Sequence, residues 1–276
     1  MKRIDLHVHT PYSGHASGSV EEAVQYAIQN HFTILGFSEH FPYPDGYHEP
    51  IPDCVVPGNR WAEYMKEIRS LQSAYMDQLD IRIGVEIDYL PDYEEFIRNK
   101  VEAMHFDYVY GSVHLINDIG IDYKDKYLQE HLEIMGGADT LWEKYWQSLE
   151  ALIHMQVCDL LAHLDLPKKL KSAQPTKDQT NASRHILELM KKNDLVLEIN
   201  TGGIDRGWLR EPYPSRQILK HAAELGIEMT FGSDAHAPDQ IGRHFDMAVD
   251  LLKAYGWKKI VAFKNRKKEY ISLYEH

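Results

Sequence analysis

The segment Asp5-Leu6-His7-Val8-His9 decides the fold. It lies in a short apolar run, residues 3–9, of strand length. Side chains two apart in a strand share a face, so His7 and His9 present both imidazoles to one side. Two imidazoles at a strand end are a ligand pair for a metal ion. Working outward, the same kind of ending recurs. Candidate strands at 32–38, 81–88, 107–113, 157–163, 194–200 and 227–233 run into Ser38-Glu39-His40, Glu86-Ile87-Asp88, Ser112-Val113-His114, His163-Leu164-Asp165, Glu198-Ile199-Asn200 and Ser233-Asp234-Ala235-His236. Each run is apolar or β-branched, as expected of strands buried on both faces.

Between these runs lie helical patterns at 19–30, 58–78, 92–103, 139–155, 178–193, 214–225 and 239–255. Ser19 followed by Glu21-Glu22, and Asp239 ahead of an apolar-periodic stretch, read as helix starts; Gly226 after Leu225 reads as a helix stop. Strand–helix units in regular succession imply a parallel sheet, curled into a barrel or doubly wound. No Gly/Ser- or Pro-rich linker divides the chain, so a single domain over residues 1–276 is expected. The proline-rich loop 41–57 and the insertion 115–138 are long enough to serve as substrate-facing loops.

The 276 residues carry 30 Lys+Arg against 42 Asp+Glu, a formal net charge of −12 that disfavours a broad nucleic-acid surface. Sixteen histidines stand beside two cysteines, which excludes a disulfide scaffold and a Cys-rich zinc module. Cys158 sits in the apolar run 157–162 and reads as core filler. A charge inside the opening Met1-Lys2-Arg3-Ile4-Asp5 and the lack of any long uncharged apolar run predict a cytoplasmic protein with no membrane span. The sequence does not specify an oligomeric state.

Parallel strands deliver their C-terminal ends to one rim, where barrel active sites lie. A lone histidine there is more often a hydrogen-bonded core residue than a ligand. Six histidines (His7, His9, His40, His114, His163, His236) and two carboxylates (Glu86, Asp234) on one rim are not independent accidents, since unpaired buried polar groups would cost roughly 1–3 kcal/mol each. Imidazole and carboxylate without thiolate suit zinc, iron or manganese. This many donors exceeds one four-coordinate ion, so two or three divalent ions are expected, with Glu86 as the bridge. His31, His105, His131, His154, His185, His221 and His276 read as background, while the loops of His48 and His244 leave those two open.

The ordered set Asp5-Leu6-His7-Val8-His9-Thr10, Glu39-His40, Glu86, Gly111-Ser112-Val113-His114, Ala162-His163 and Gly232-Ser233-Asp234-Ala235-His236 resembles the successive motifs of the PHP (polymerase and histidinol phosphatase) superfamily. The segment His9-Thr10-Pro11-Tyr12-Ser13-Gly14-His15-Ala16 and the chain length are most similar to its stand-alone histidinol-phosphatase branch. The resemblance implies a distorted (β/α)7 TIM-like barrel with a trinuclear metal site. It assigns His7, His9, Glu86 and Asp234 to one ion, Glu86, His114 and His163 to a second, and His15, His40 and His236 to a third.

It further implies hydrolysis of a small phosphorylated substrate, L-histidinol phosphate, in histidine biosynthesis. For phosphate contacts Arg206, in Asn200-Thr201-Gly202-Gly203-Ile204-Asp205-Arg206, is the first expectation, ahead of Arg60 and Arg243. Asp205 and the 41–57 loop are candidates for the substrate's ammonium and imidazole. Asp165, two residues beyond His163, is read either as a general acid or as a residue orienting a ligand imidazole, and His236 also stands with the catalytic candidates. Rival readings are a PHP phosphoesterase acting on phosphotyrosine protein or nucleotide, and a metal-stabilised non-catalytic module. An amidohydrolase-like C–N hydrolase is disfavoured because no lysine ends a candidate strand.

Overall fold

The computed structural model describes residues 2–274. His276 and the two extremities of the expected 1–276 unit lie outside them. The chain alternates strand and helix: β1 (Arg3–Val8), α1 (Val20–Gln29), β2 (Phe32–Phe37), α2 (Trp61–Ala74), β3 (Asp80–Asp88), α3 (Glu94–Ala103) and β4 (Tyr108–Ser112). There follow a small hairpin β5 (Leu115–Ile116) and β6 (Ile119–Gly120), then α4 (Asp125–Met135), α5 (Ala138–Met155), β7 (Leu160–Leu161), α6 (Thr180–Lys192) and β8 (Val196–Asn200). The chain continues through α7 (Gly202–Arg206), α8 (Arg216–Leu225), β9 (Met229–Gly232), α9 (Phe245–Ala254) and the hairpin β10 (Lys259–Lys264) and β11 (Lys267–Ser272).

Strands β1, β2, β3, β4, β7, β8 and β9 form one seven-stranded sheet in that order, every pair parallel. The outer strands meet again: His9 N–H donates to the Ala235 carbonyl at 2.9 Å and Ala235 N–H to the His7 carbonyl at 3.2 Å. The sheet is therefore a nearly closed barrel, one of the two forms the strand succession left open and the one the resemblance implied. No helix among the described residues is long and apolar enough to cross a membrane.

Tyr108 fills the barrel interior and donates its hydroxyl to the Leu6 carbonyl at 2.7 Å. Glycine is required opposite it, because a Cβ at Gly36 or Gly84 would lie 2.0 or 2.2 Å from the tyrosine side chain. Local signals act as read. Ser19 caps α1 in a reciprocal box with Glu22, and Gly226 ends α8 in the left-handed conformation. Asp239 differs: it sits in the turn Pro238–Gln240, bound by Arg243, and α9 begins only at Phe245.

Two other differences matter. The insertion 115–138 is structured, holding the β5–β6 hairpin and α4. The C-terminal hairpin, unforeseen from the sequence, closes the N-terminal end of the barrel. Its turn residues Asn265 and Arg266 both have positive φ, as a tight two-residue hairpin turn requires, and their amides bind Asp107 just ahead of β4.

Candidate metal centre

The C-terminal strand ends gather the predicted donors. His7 Nδ1 lies 2.6 Å from Glu198 Oε1 and His9 Nδ1 3.1 Å from Glu39 Oε1. An ionised carboxylate only accepts, so each Nδ1 carries its proton and each Nε2 is turned to the rim. Glu198 is fully buried and also accepts from His163 N–H (2.9 Å) and Asn200 Nδ2 (3.0 Å). Its place depends on Gly232, where a Cβ would stand 1.8 Å from Glu198 Oε1. Glu39 is anchored in turn by the Thr10 amide and hydroxyl.

Glu86, 1% exposed, is the focus. His163 Nε2 (3.0 Å) and His114 Nε2 (3.6 Å) face its Oε1, while His7 Nε2 (3.2 Å), His40 Nδ1 (3.2 Å) and His9 Nε2 (3.6 Å) face its Oε2. A carboxylate offers about four lone-pair sites, too few for the five imidazoles around it. The Nε2 atoms of His7 and His9 also stand only 3.2 Å apart. Divalent cations among these atoms would let every imidazole present a lone pair instead of competing N–H groups. The donor set fits metal ions, and it fits them better than it fits protons.

The titration behaviour has the same cause. Burial opposes charge on His9 and His114, yet Asp234 and Glu39 hold His9 up at about 9, and Asp88 and Glu86 hold His114 up at about 10. Burial and neighbouring histidines push His40 and His236 well down. Against its own burial, Glu86 is held well below the usual carboxylate range by His40, His7 and His114.

Donor atoms close enough to share an ion occur in the sets His7–His9–Asp234, His7–Glu86–His163, His40–Glu86–His114 and His9–His15–His40. His15 is thus brought to the cluster, its Nδ1 2.8 Å from the Asp53 carbonyl. His236 lies beside it, ring centroids 4.7 Å apart, with Nδ1 directed at the Asp234 carbonyl and Arg206.

A cavity of about 180 Å³ opens from this cluster. Loop 41–57 contributes Tyr43, Ile51, Pro52 and Cys54 to it, and the 115–138 insertion Leu115, Gly120, Asp122 and Tyr123. Arg206 also lines the cavity, its Nη2 2.5 Å from Asp234 Oδ2.

The other expected residues are placed elsewhere. Asp165 is not among the cavity-lining residues; it binds Lys168 (3.0 Å) and the Ser215 amide (2.9 Å), because β7 ends at Leu161 and strand alternation does not reach residue 165. Arg60 lies over the Tyr12 ring and beside Glu63, and Arg243 pairs with Asp205 and Asp239. Asp205 is held by Arg243 and His244, outside the cavity lining. Sequence reasoning missed Glu198, within β8, and Glu39, just beyond β2, as supports of the candidate ligands His7 and His9. It also missed Lys169 and Asp122, which line the cavity from separate insertions.

A parallel β/α barrel carrying a histidine–carboxylate cluster on its C-terminal rim defines a metal-dependent hydrolase. A sequence model described as PHP domain matches residues 5–202, and one described as PHP-associated matches residues 212–248. The chain belongs to the PHP domain family. It is 34% identical to a Deinococcus radiodurans protein named "Probable histidinol-phosphatase", over 95% of this chain and 97% of that one. It is 26% identical to the histidinol-phosphatase of Bacillus subtilis, over 89% and 98% of the two chains. Among solved structures, histidinol phosphate phosphatase from Lactococcus lactis, complexed with zinc, L-histidinol and phosphate, superposes with a TM-score of 0.80 at 22% identity, covering 97% of this chain and 99% of that one.

Proposed function

We infer that this chain is a histidinol-phosphatase, hydrolysing L-histidinol phosphate to L-histidinol and phosphate. The observation that carries this reading is the full-length similarity to histidinol-phosphatases, in a chain whose histidine–carboxylate cluster opens into a cavity of small-molecule size. The chain acts as one unit and holds two or three divalent ions, zinc, iron or manganese. His7, His9, Glu86 and Asp234 hold the first, Glu86, His114 and His163 the second, and His15, His40 and His236 the third. Bound there, such ions neutralise phosphoryl charge and activate water.

The protein supplies orientation. Glu198 and Glu39 fix the ring orientation of His7 and His9. Arg206, 32% exposed at the cavity wall, offers its guanidinium to the phosphoryl oxygens. Loop 41–57 and the 115–138 insertion wall off the substrate from bulk water. Local cations at the rim also reconcile a net charge of −12 with an anionic substrate.

The test compares kcat/KM for L-histidinol phosphate, a phosphotyrosine peptide and a nucleotide, alongside metal analysis. Preference for L-histidinol phosphate with at least two ions per chain is expected; preference for either rival overturns the reading. Arg206→Ala should raise KM about tenfold or more with metal content unchanged. An unaltered KM removes Arg206 from phosphate binding.

A further inference from the structure

One wall of the cavity carries an ion pair outside the metal cluster. Asp122 follows β6, and Lys169 ends the short turn Leu166–Lys169 after β7. Lys169 Nζ donates to Asp122 Oδ2 at 2.7 Å; both side chains are 22% exposed and line the cavity.

The other carboxylates of the lining are engaged. Glu86 is ringed by imidazoles, Asp234 is held by Arg206 and His9, and Asp88 accepts from the His114 amide (2.8 Å) and the Tyr43 hydroxyl (3.3 Å). Lys169 is the one hydrogen-bond partner of the Asp122 side chain among the described residues, which leaves Oδ1 open. Burial works against its charge, but the Lys169 ammonium beside it lowers the Asp122 pKa.

An ammonium group entering this cavity loses water and needs a counter-charge. Tyr43 lines the same cavity and adds an aromatic ring to a site for a cation, while the Tyr123 ring already carries Lys124 Nζ at 4.4 Å. We propose that Asp122 recognises the ammonium group of the substrate, with Lys169 as the counter-ion it exchanges for that group on binding. This assignment rests on the reading of L-histidinol phosphate as substrate. It predicts selection of an amino-alcohol phosphate over a plain phosphomonoester of similar size.

Asp122→Asn keeps the shape and removes the charge. The assay compares kcat/KM for L-histidinol phosphate with that for the same ester lacking the amino group, and measures L-histidinol binding by calorimetry. Asp122→Asn should lower kcat/KM for L-histidinol phosphate about ten- to a hundredfold, chiefly through KM, and weaken L-histidinol binding by a similar factor. The change on the amine-free ester should stay within about twofold, as no charge-assisted hydrogen bond is lost there. Equal losses on both esters, or no loss on either, overturn the role of Asp122. A wild-type enzyme that does not prefer the amine-bearing ester overturns the substrate reading itself. Lys169→Met is the second variant. It frees Asp122 for the ammonium, so L-histidinol should bind more tightly; weaker binding shows a purely structural ion pair and also overturns the proposal.

Discussion

Arg82 and Glu86 lie on the same strand, β3, and are 2% and 1% exposed. Their surroundings are opposite in kind. Arg82, at the N-terminal end of the barrel, binds Asp80 through Nε (2.9 Å) and Nη2 (2.6 Å), Glu269 (2.8 Å) and the Phe263 carbonyl. Every partner is an acceptor, and the C-terminal hairpin supplies two of them. Glu86, at the other end, faces five imidazoles that cannot all be satisfied by its two oxygens. The lower end of the barrel is electrostatically complete within the chain. The upper end gathers more imidazoles than its carboxylate can serve, an arrangement that metal ions would satisfy.

The strongest way to break this comparison is Glu86→Gln. The amide keeps the shape but removes the charge shared by the expected ions. Turnover should fall on the order of a thousandfold, with metal content by elemental analysis falling in parallel. Retained metal and retained turnover would show that the upper end does not depend on its carboxylate. Arg82→Met tests the lower end. Removing one partner of a buried ion network costs roughly 3–5 kcal/mol, and the low end applies here because the remaining Asp80 and Glu269 are 40% and 45% exposed. The urea midpoint should drop accordingly, while metal content of the folded protein stays constant. A variant with lost metal and an unchanged midpoint would invert the comparison.

How much of this was legible in the sequence follows the same division. His7, His9, His40, Glu86, His114, His163 and Asp234 were readable because parallel strands bring their ends to one rim, and spacing within each segment placed the donors. His15 lies in a loop and came only with the resemblance. Asp165 does not share the strand face of His163, because β7 ends at Leu161 and the side chain pairs with Lys168. Arg60 and Arg243 stand outside the cavity lining because each is engaged by carboxylates beside it, Arg60 by Glu63 and Arg243 by Asp239 and Asp205. The Asp122–Lys169 pair joins two insertions with no shared spacing, so no local pattern announces it. The C-terminal hairpin escaped notice because it is antiparallel and stands apart from the repeating strand–helix unit.

Glu198→Gln gives the smallest effect and the sharpest discrimination between the two ends. Glu198 resembles Arg82 in being buried and surrounded by groups of complementary hydrogen-bonding character: the His7 ring, the His163 amide and the Asn200 side chain. It resembles Glu86 in touching a candidate ligand. Whichever way the new amide is turned, its NH2 group meets a donor, leaving a mismatch of about 1–3 kcal/mol. If Glu198 serves stability alone, the urea midpoint falls and metal affinity is unchanged, as at Arg82. If it holds His7 for an ion, chelator competition should show a ten- to hundredfold loss in metal affinity with a comparable loss of turnover. The second outcome is expected, because the 2.6 Å contact ends on the same imidazole whose other nitrogen faces Glu86.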